Sequence, residues 1–89
     1  MDDASFPSYI PKIPAKLIIR KEHFGALLFD RDSLAVIEIN DNTLGLLHLI
    51  DGQRPFCEIA QSYAQTFSVT EQKVMEFLKS LLDKGLIEC

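Results

Sequence analysis

The first half of the chain alternates hydrophobic and polar positions with a period of two, which is typical of half-buried β-strands. Three such runs predict strands over Lys16–Lys21, Ala26–Asp30 and Leu34–Ile39. Each run has five or six residues, and the segments between them have only three or four. Because such short connections join neighbouring antiparallel strands, the pattern predicts a three-stranded meander.

After the third run the hydrophobic period changes to 3.6, which is typical of amphipathic helices. The first predicted helix follows the capping side chains at residues 40–42 and ends at Gly52. A second begins around Pro55, in the first helical position, and a third follows an N-cap at Thr70 and ends at Gly85. The whole pattern predicts an α+β fold that is winged-helix-like, with a three-stranded antiparallel sheet followed by three helices.

The N-terminal segment has a different composition from the rest of the chain. Met1–Pro14 contains three of the four prolines, and proline favours extended backbone. We therefore expect a Pro-rich extended arm over residues 1–14 and a folded domain over residues 15–89. The arm begins with acidic residues and has no apolar core, so it does not resemble a secretory signal.

Composition narrows the class of protein. The chain has 89 residues, of which 47% are hydrophobic and 25% charged, with a net charge of −4. These values indicate one small globular domain, and the acidic balance argues against a nucleic-acid partner. No apolar run is long enough to span a membrane, so a cytoplasmic protein is expected.

The residues that usually carry catalysis are sparse. His23 lies in a turn and His48 in a leucine-rich helix, while Cys57 and Cys89 have no neighbouring histidine in the sequence. The chain contains no metal-ligand spacing and no Gly-rich phosphate loop. The sequence therefore predicts a protein that is not an enzyme, with no catalytic residue, metal or cofactor.

The two edges of the predicted sheet differ in their protection. Pro14 precedes the first strand and lysines open and close it, which is how natural sheets block an edge against further pairing. The third strand, Leu34–Ile39, has Glu38 as its only charge. Such an edge is either covered, by the arm or by a homodimer contact, or kept open so that a partner peptide adds a strand.

The order and spacing of several short motifs resemble the PqqD-like family. This family comprises peptide chaperones and recognition elements for RiPPs, the ribosomally synthesised and post-translationally modified peptides. The resemblance extends over residues 17–88, and its motifs are Arg20–Asp30, Val36–Asn40, Leu46–Gly52, Glu58–Ala60, Phe67–Val69, Phe77–Leu81 and Gly85–Glu88.

The resemblance implies a concrete function. Family members perform no chemistry; they bind the leader region of a precursor peptide as a strand added to the third strand, in a groove also lined by the third helix. They present this peptide to a modifying enzyme, often a radical SAM protein. Carried onto this chain, the implied peptide-binding residues are Leu34, Ala35, Val36, Ile37, Glu38, Ile39, Val74, Phe77, Leu78, Leu81 and Lys84.

Several alternatives stay open at this point. A winged-helix DNA-binding protein would need basic helices, but Pro55–Thr66 has no Lys or Arg and the three lysines of the third helix are matched by three acids. An edge-to-edge dimerisation module would use the same third strand. A subunit whose active site lies on another chain is a third alternative. The arm is either a contact for the modifying enzyme or a cover over the groove, and the resemblance fits pyrroloquinoline-quinone and mycofactocin systems alike.

Overall fold

Three strands and three helices follow one another along the chain, as the sequence predicts. They are seen in a computed structural model that describes residues 6–89. A short 3₁₀ helix, Phe6–Ser8, precedes them. The strands are β1 (Leu17–Glu22), β2 (Gly25–Asp30) and β3 (Val36–Asn40), and the helices are α1 (Asp41–His48), α2 (Phe56–Phe67) and α3 (Glu71–Asp83).

The sheet is antiparallel throughout, with β2 between β1 and β3. Leu28 in β2 lies opposite Ile19 of β1 and Ile37 of β3, and it is fully buried beneath the helices. The three helices pack on this face of the sheet only. Their apolar stripes meet it in one core, made of Phe6, Leu17, Leu28, Leu46, Leu47, Ile50, Phe56, Ile59, Ala60, Val74, Leu78, Leu81, Leu86 and Ile87.

The third strand begins two residues later than the sequence predicts. Leu34 has a φ of 62° and lies in the hairpin loop, with its side chain 70% exposed. The cause is Asp30: its Oδ1 accepts hydrogen bonds from the backbone N–H groups of Asp32 (2.9 Å) and Ser33 (3.2 Å). Its carbonyl also accepts from the Leu34 N–H at 2.8 Å. We call this turn the Asp30 loop. It includes Leu34 and Ala35, the first two residues of the predicted strand.

The helix starts are capped largely as predicted. Asn40 caps α1 by accepting from the Thr43 N–H at 2.8 Å, and Thr70 caps α3. The prediction that α1 ends at Gly52 is wrong: it ends at His48, and Gly52 belongs to the following loop. The prediction for Pro55 is shifted by one position, since this residue is the N-cap and α2 starts after it.

The described part of the expected arm, residues 6–14, packs into the domain. Phe6 is 1% exposed and stacks on Phe56 with ring centroids 4.3 Å apart. The Tyr9 carbonyl accepts from the Phe56 N–H at 3.0 Å, which caps a helix start that has no capping side chain of its own. Lys12 pairs with Glu88 through two backbone hydrogen bonds. The first five residues of the predicted arm lie outside the described residues.

The Asp30 loop gives a pH-dependent prediction. Hydrogen bonds from the backbone of Asp32 and Ser33, together with Lys16 Nζ at 3.3 Å, hold the pKa of Asp30 below its ordinary value of 3.8. A carboxylate with a lowered native pKa stabilises the fold above its unfolded pKa, and this contribution is lost as the pH falls through the native pKa.

Asp30→Asn is therefore expected to lower the free energy of unfolding at neutral pH. The difference from the wild-type protein should shrink as the pH falls below about 4, because Asp30 then becomes protonated as well. Urea unfolding followed by circular dichroism, repeated at several pH values in this range, measures the free energy of unfolding of the wild-type protein and of the variant. A difference that does not change with pH would show that the charge of Asp30 is not what stabilises the loop.

Candidate functional site

The hydrogen bonds of the sheet fix which backbone groups of β3 are already used. The Asp30 N–H donates to the Ala35 carbonyl at 2.9 Å, so the Ala35 carbonyl is directed towards β2. The Ala35 N–H donates to Ser33 Oγ at 3.3 Å instead, because the Asp30 carbonyl already accepts from Leu34. Bonded and non-bonded pairs alternate along an antiparallel ladder. In the observed register, the backbone groups of Ile37 and Ile39 are therefore directed towards β2.

The other half of the β3 backbone is directed away from the sheet. By the same alternation, the N–H and C=O groups of Val36 and Glu38 point outwards, and among residues 6–89 no strand pairs with this edge. Val36 is 61% exposed, and Glu38 is exposed too. The edge therefore offers a ladder of free donors and acceptors to an added strand.

A groove separates this edge from the last helix, and we call it the β3–α3 groove. Its volume is about 500 Å³. The β3 side chains on its floor, Ile37 and Ile39, are half-buried and pack against the core. The groove is lined by Ile37, Glu38, Ile39, Asn40, Thr43, Phe77, Leu81, Lys84 and Leu86.

A smaller apolar pocket of about 170 Å³ continues the β3–α3 groove, because Thr43 and Phe77 line both. It opens between the three helices and is also lined by Tyr63 and Val74. Burial raises the pKa of the Tyr63 phenol above its ordinary value of 10.0, and its hydroxyl donates to the carbonyl of Asn42 at 3.0 Å. This bond holds α2 against the start of α1 and so keeps the pocket's walls together.

Charge in the β3–α3 groove is sparse. Glu38 and Lys84 are its only ionisable lining residues, and within the part of the chain described neither forms an ion pair. The remaining lining is aliphatic, aromatic or neutral polar. A groove of this kind binds through backbone hydrogen bonds and apolar side chains. Because side chains alternate along β3 and Ile37 and Ile39 face the groove, Glu38 borders it with its backbone and Lys84 supplies the charge inside.

The structure brings together six of the sequence-predicted site residues in the β3–α3 groove: Ile37, Glu38, Ile39, Phe77, Leu81 and Lys84. Val74 is 3% exposed and lines the adjoining pocket instead. Leu78 is fully buried in the core and lines neither. Leu34, Ala35 and Val36 are exposed at the loop and the outer edge, outside the groove.

Sequence reasoning missed three lining residues of the β3–α3 groove. Asn40 and Thr43 lie at the junction of β3 and α1, where a helix cap was the only visible role, and Leu86 follows the end of α3. The Gly85 backbone has a φ of 76°, which turns the chain back so that Leu86 reaches the groove. A glycine after a helix indicates in the sequence that the chain reverses there. It does not indicate in which direction the following residue will point.

No protein-family model matches the sequence, and no curated protein matches it. Solved structures of other proteins do share its fold. TbiB1 in complex with the TbiA(beta) leader peptide has a TM-score of 0.71 at 18% identity, covering 86% of this chain and 94% of that one. A lasso peptide synthetase B1 complexed with its leader peptide has a TM-score of 0.71 at 13% identity, covering 89% and 96%.

A third structure is the PqqD truncation of Methylobacterium extorquens PqqCD, a stand-alone RiPP recognition element. Its TM-score is 0.69 at 24% identity, covering 93% of each chain. The chain has the fold of a PqqD-type RiPP recognition element. The resemblance carried by the sequence motifs is thus confirmed at the level of the fold. No helix within residues 6–89 is long and apolar enough to cross a membrane.

The alternation along β3 predicts a pattern of amide exchange. The N–H groups of Ile37 and Ile39 should exchange with deuterium about tenfold or more slowly than those of Val36 and Glu38, because only the former are bonded to β2. NMR exchange on the free protein at low concentration measures each amide. Equal protection at all four positions would show that the outer edge is already paired, as in an edge-to-edge dimer.

The burial of α3 predicts a contrast between two of its candidate residues. Leu78→Ala removes a fully buried side chain and should lower the free energy of unfolding by about 2–5 kcal/mol. Lys84→Ala changes an exposed residue and should change it by less than about 0.5 kcal/mol. Urea denaturation of both variants checks this. A similar, small effect for both would contradict the assignment of Leu78 to the core.

Proposed function

We propose that this protein binds the leader segment of a ribosomally made precursor peptide as a fourth strand along β3. The observation that carries the proposal is the open edge of β3, where the backbone groups of Val36 and Glu38 are directed outwards beside the β3–α3 groove. The leader-peptide complexes of TbiB1 and of the lasso synthetase B1 have the same fold and support it.

The alternation of side chains along an added strand explains why an edge and a groove lie together. Successive residues of a strand point to opposite faces. Every second side chain of the peptide would therefore enter the β3–α3 groove and contact Phe77 and Leu81, while the backbone pairs with β3. The apolar lining favours aliphatic or aromatic peptide residues at these alternate positions, with Lys84 selecting for an acidic residue near it. Glu38 faces the opposite side of the sheet and would select for charge among the other alternate side chains.

The basic residues of the helices support a peptide rather than a nucleic acid. Lys73 lines the small apolar pocket, Lys84 follows the end of α3 and lines the β3–α3 groove, and Lys79 lies over the Phe6 ring at 5.0 Å. Lys73 and Lys84 are eleven residues apart and so lie near one side of the helix, whereas Lys79 lies on another. The lysines on the shared side border apolar cavities, and α2 contains no Lys or Arg. The helices therefore lack the continuous basic face that a DNA-binding helix needs.

The bound leader would be presented to the enzyme that modifies the rest of the precursor. A radical SAM protein is the class of enzyme we propose, on the resemblance to PqqD-like chaperones. The chain itself supplies the binding surface and no reacting group: the His and Cys residues lie outside the β3–α3 groove and its adjoining pocket. Its role is to raise the local concentration of the precursor at the enzyme.

A single proline tests the added-strand mechanism. Val36→Pro removes an outward N–H and leaves the bonds between β2 and β3 in place, so the protein should fold and yet lose at least about tenfold in affinity for a leader. Synthetic leader segments of the short peptides encoded beside this chain's gene serve as probes. Binding is measured by ¹⁵N-HSQC titration, in which the wild-type protein should show shifts along β3 and α3.

The opposite edge provides a matched control. The Arg31 N–H bonds to the Lys16 carbonyl, and the alternation from this pair directs the backbone of Ile19 outwards from β1. Ile19→Pro should therefore keep leader affinity within about twofold of wild type. Circular dichroism establishes that both variants fold. A folded Val36→Pro variant that binds as tightly as wild type would overturn the proposal, as would the absence of any shift with every leader.

A further inference from the structure

The face of the sheet opposite the helices carries an apolar row of side chains that lies outside the β3–α3 groove. Ile18 of β1 lies opposite Phe29 of β2, which in turn lies opposite Val36 of β3. Ile18 is 48% exposed and Val36 is 61% exposed, with Phe29 half-buried between them. We call Ile18, Phe29 and Val36 the apolar row; it crosses the whole sheet from one edge to the other.

The surroundings of the apolar row are of mixed charge. The next row on the same face consists of Arg20, Leu27 and Glu38, which lie opposite one another in the observed register. Arg20 is already paired with Glu22 at 2.7 Å. This face therefore combines an apolar centre with a polar rim, which is the composition of a protein-binding surface rather than of one for nucleic acid.

The size of the face decides between a permanent and a transient partner. Together with Leu34, which is 70% exposed, the apolar row presents on the order of 400 Å² of apolar surface, within the range of functional patches on monomers. A stable homodimer buries about 800 Å² on each copy. The row therefore suits a protein that binds transiently or that makes further contacts elsewhere.

The apolar row ends at the strand where the peptide is proposed to bind. Val36 belongs to the row through its side chain, and its outward backbone groups belong to the peptide site. A strand added beside β3 would place its other alternate side chains on this same face, next to Val36 and Glu38. The row and these peptide side chains would then form one continuous surface that exists only when the leader is bound.

We propose that the peptide-modifying enzyme docks on the apolar row. In this complex the enzyme contacts the row together with those side chains of the bound leader that lie on the same face of the sheet. The proposal rests on the proposed function and names the place of its second partner. The helices and the β3–α3 groove lie on the other face, so enzyme and leader would bind without competing. The enzyme should present a flat apolar patch, and its affinity should rise when the leader is bound.

Two exposed isoleucines allow a matched test. Ile18→Lys places a charge in the apolar row, whereas Ile10→Lys makes the same change at a side chain of equal exposure (47% against 48%) in the N-terminal segment. The probes are the leader that binds and each purified enzyme encoded beside it, with the association measured by biolayer interferometry on the leader-saturated protein. Ile18→Lys should weaken enzyme binding at least about tenfold, and Ile10→Lys by less than about twofold.

Other readouts separate this proposal from the proposed function. Leader affinity, measured by ¹⁵N-HSQC titration, should stay within about twofold in both variants, since Ile18 touches neither β3 nor the groove. The docking proposal is overturned if the two variants bind the enzyme equally well, or if no enzyme binds the leader-saturated wild-type protein. Neither result would contradict the proposed function, which is tested by leader binding alone. A concentration-dependent dimer in sedimentation that Ile18→Lys abolishes would assign the row to a second copy and would also overturn the docking proposal.

Discussion

The central strand β2 has only two edges, and this limit governs the rest of the structure. It bonds β1 through one alternate set of backbone groups and β3 through the other, as the pairs Lys16–Arg31 and Asp30–Ala35 at its end establish. The outer halves of β1 and β3 are left without a partner in the sheet. The protection of these two edges therefore depends on their sequences. Only β1 is protected, with Lys16 directly before it and Arg20 and Lys21 within it.

The helices turn the open edge into a site of defined shape. They cover one face of the sheet and bury Leu28 at its centre, and α3 faces β3 across the β3–α3 groove. The groove that results is apolar because the same stripe of α3 that enters the core continues to its rim. Leu78 lies in the core while Phe77 and Leu81 line the groove, so stability and binding share one helix.

The segment before β1 is part of what holds this arrangement together. Phe6 fills a place in the core against Phe56, and the Tyr9 carbonyl caps the start of α2. Lys12 pairs with Glu88 after the end of α3. The described residues of this segment do not line the β3–α3 groove, so the expectation that the arm covers the groove finds no support in residues 6–14.

The sequence by itself determined the element order, the antiparallel meander and the unequal protection of its edges. These depend on local period, turn length and the identity of edge residues, all of which can be read along the chain. The order and spacing of the motifs also indicated the fold family. The caps at Asn40 and Thr70 were predictable for a similar reason, because capping acts within four residues.

Only the tertiary structure decided which side chains face the core and which face the groove. The apolar stripe of α3 is wider than one contact surface, so the sequence pattern does not show which of its residues enter the core and which line the groove. Phe77 and Leu78 are only about 100° apart around the helix, and both belong to this stripe. Likewise, the late start of β3 follows from the Asp30 loop, and the role of Phe6 follows from contacts across 50 residues of chain. Such long-range packing has no local signature in the sequence.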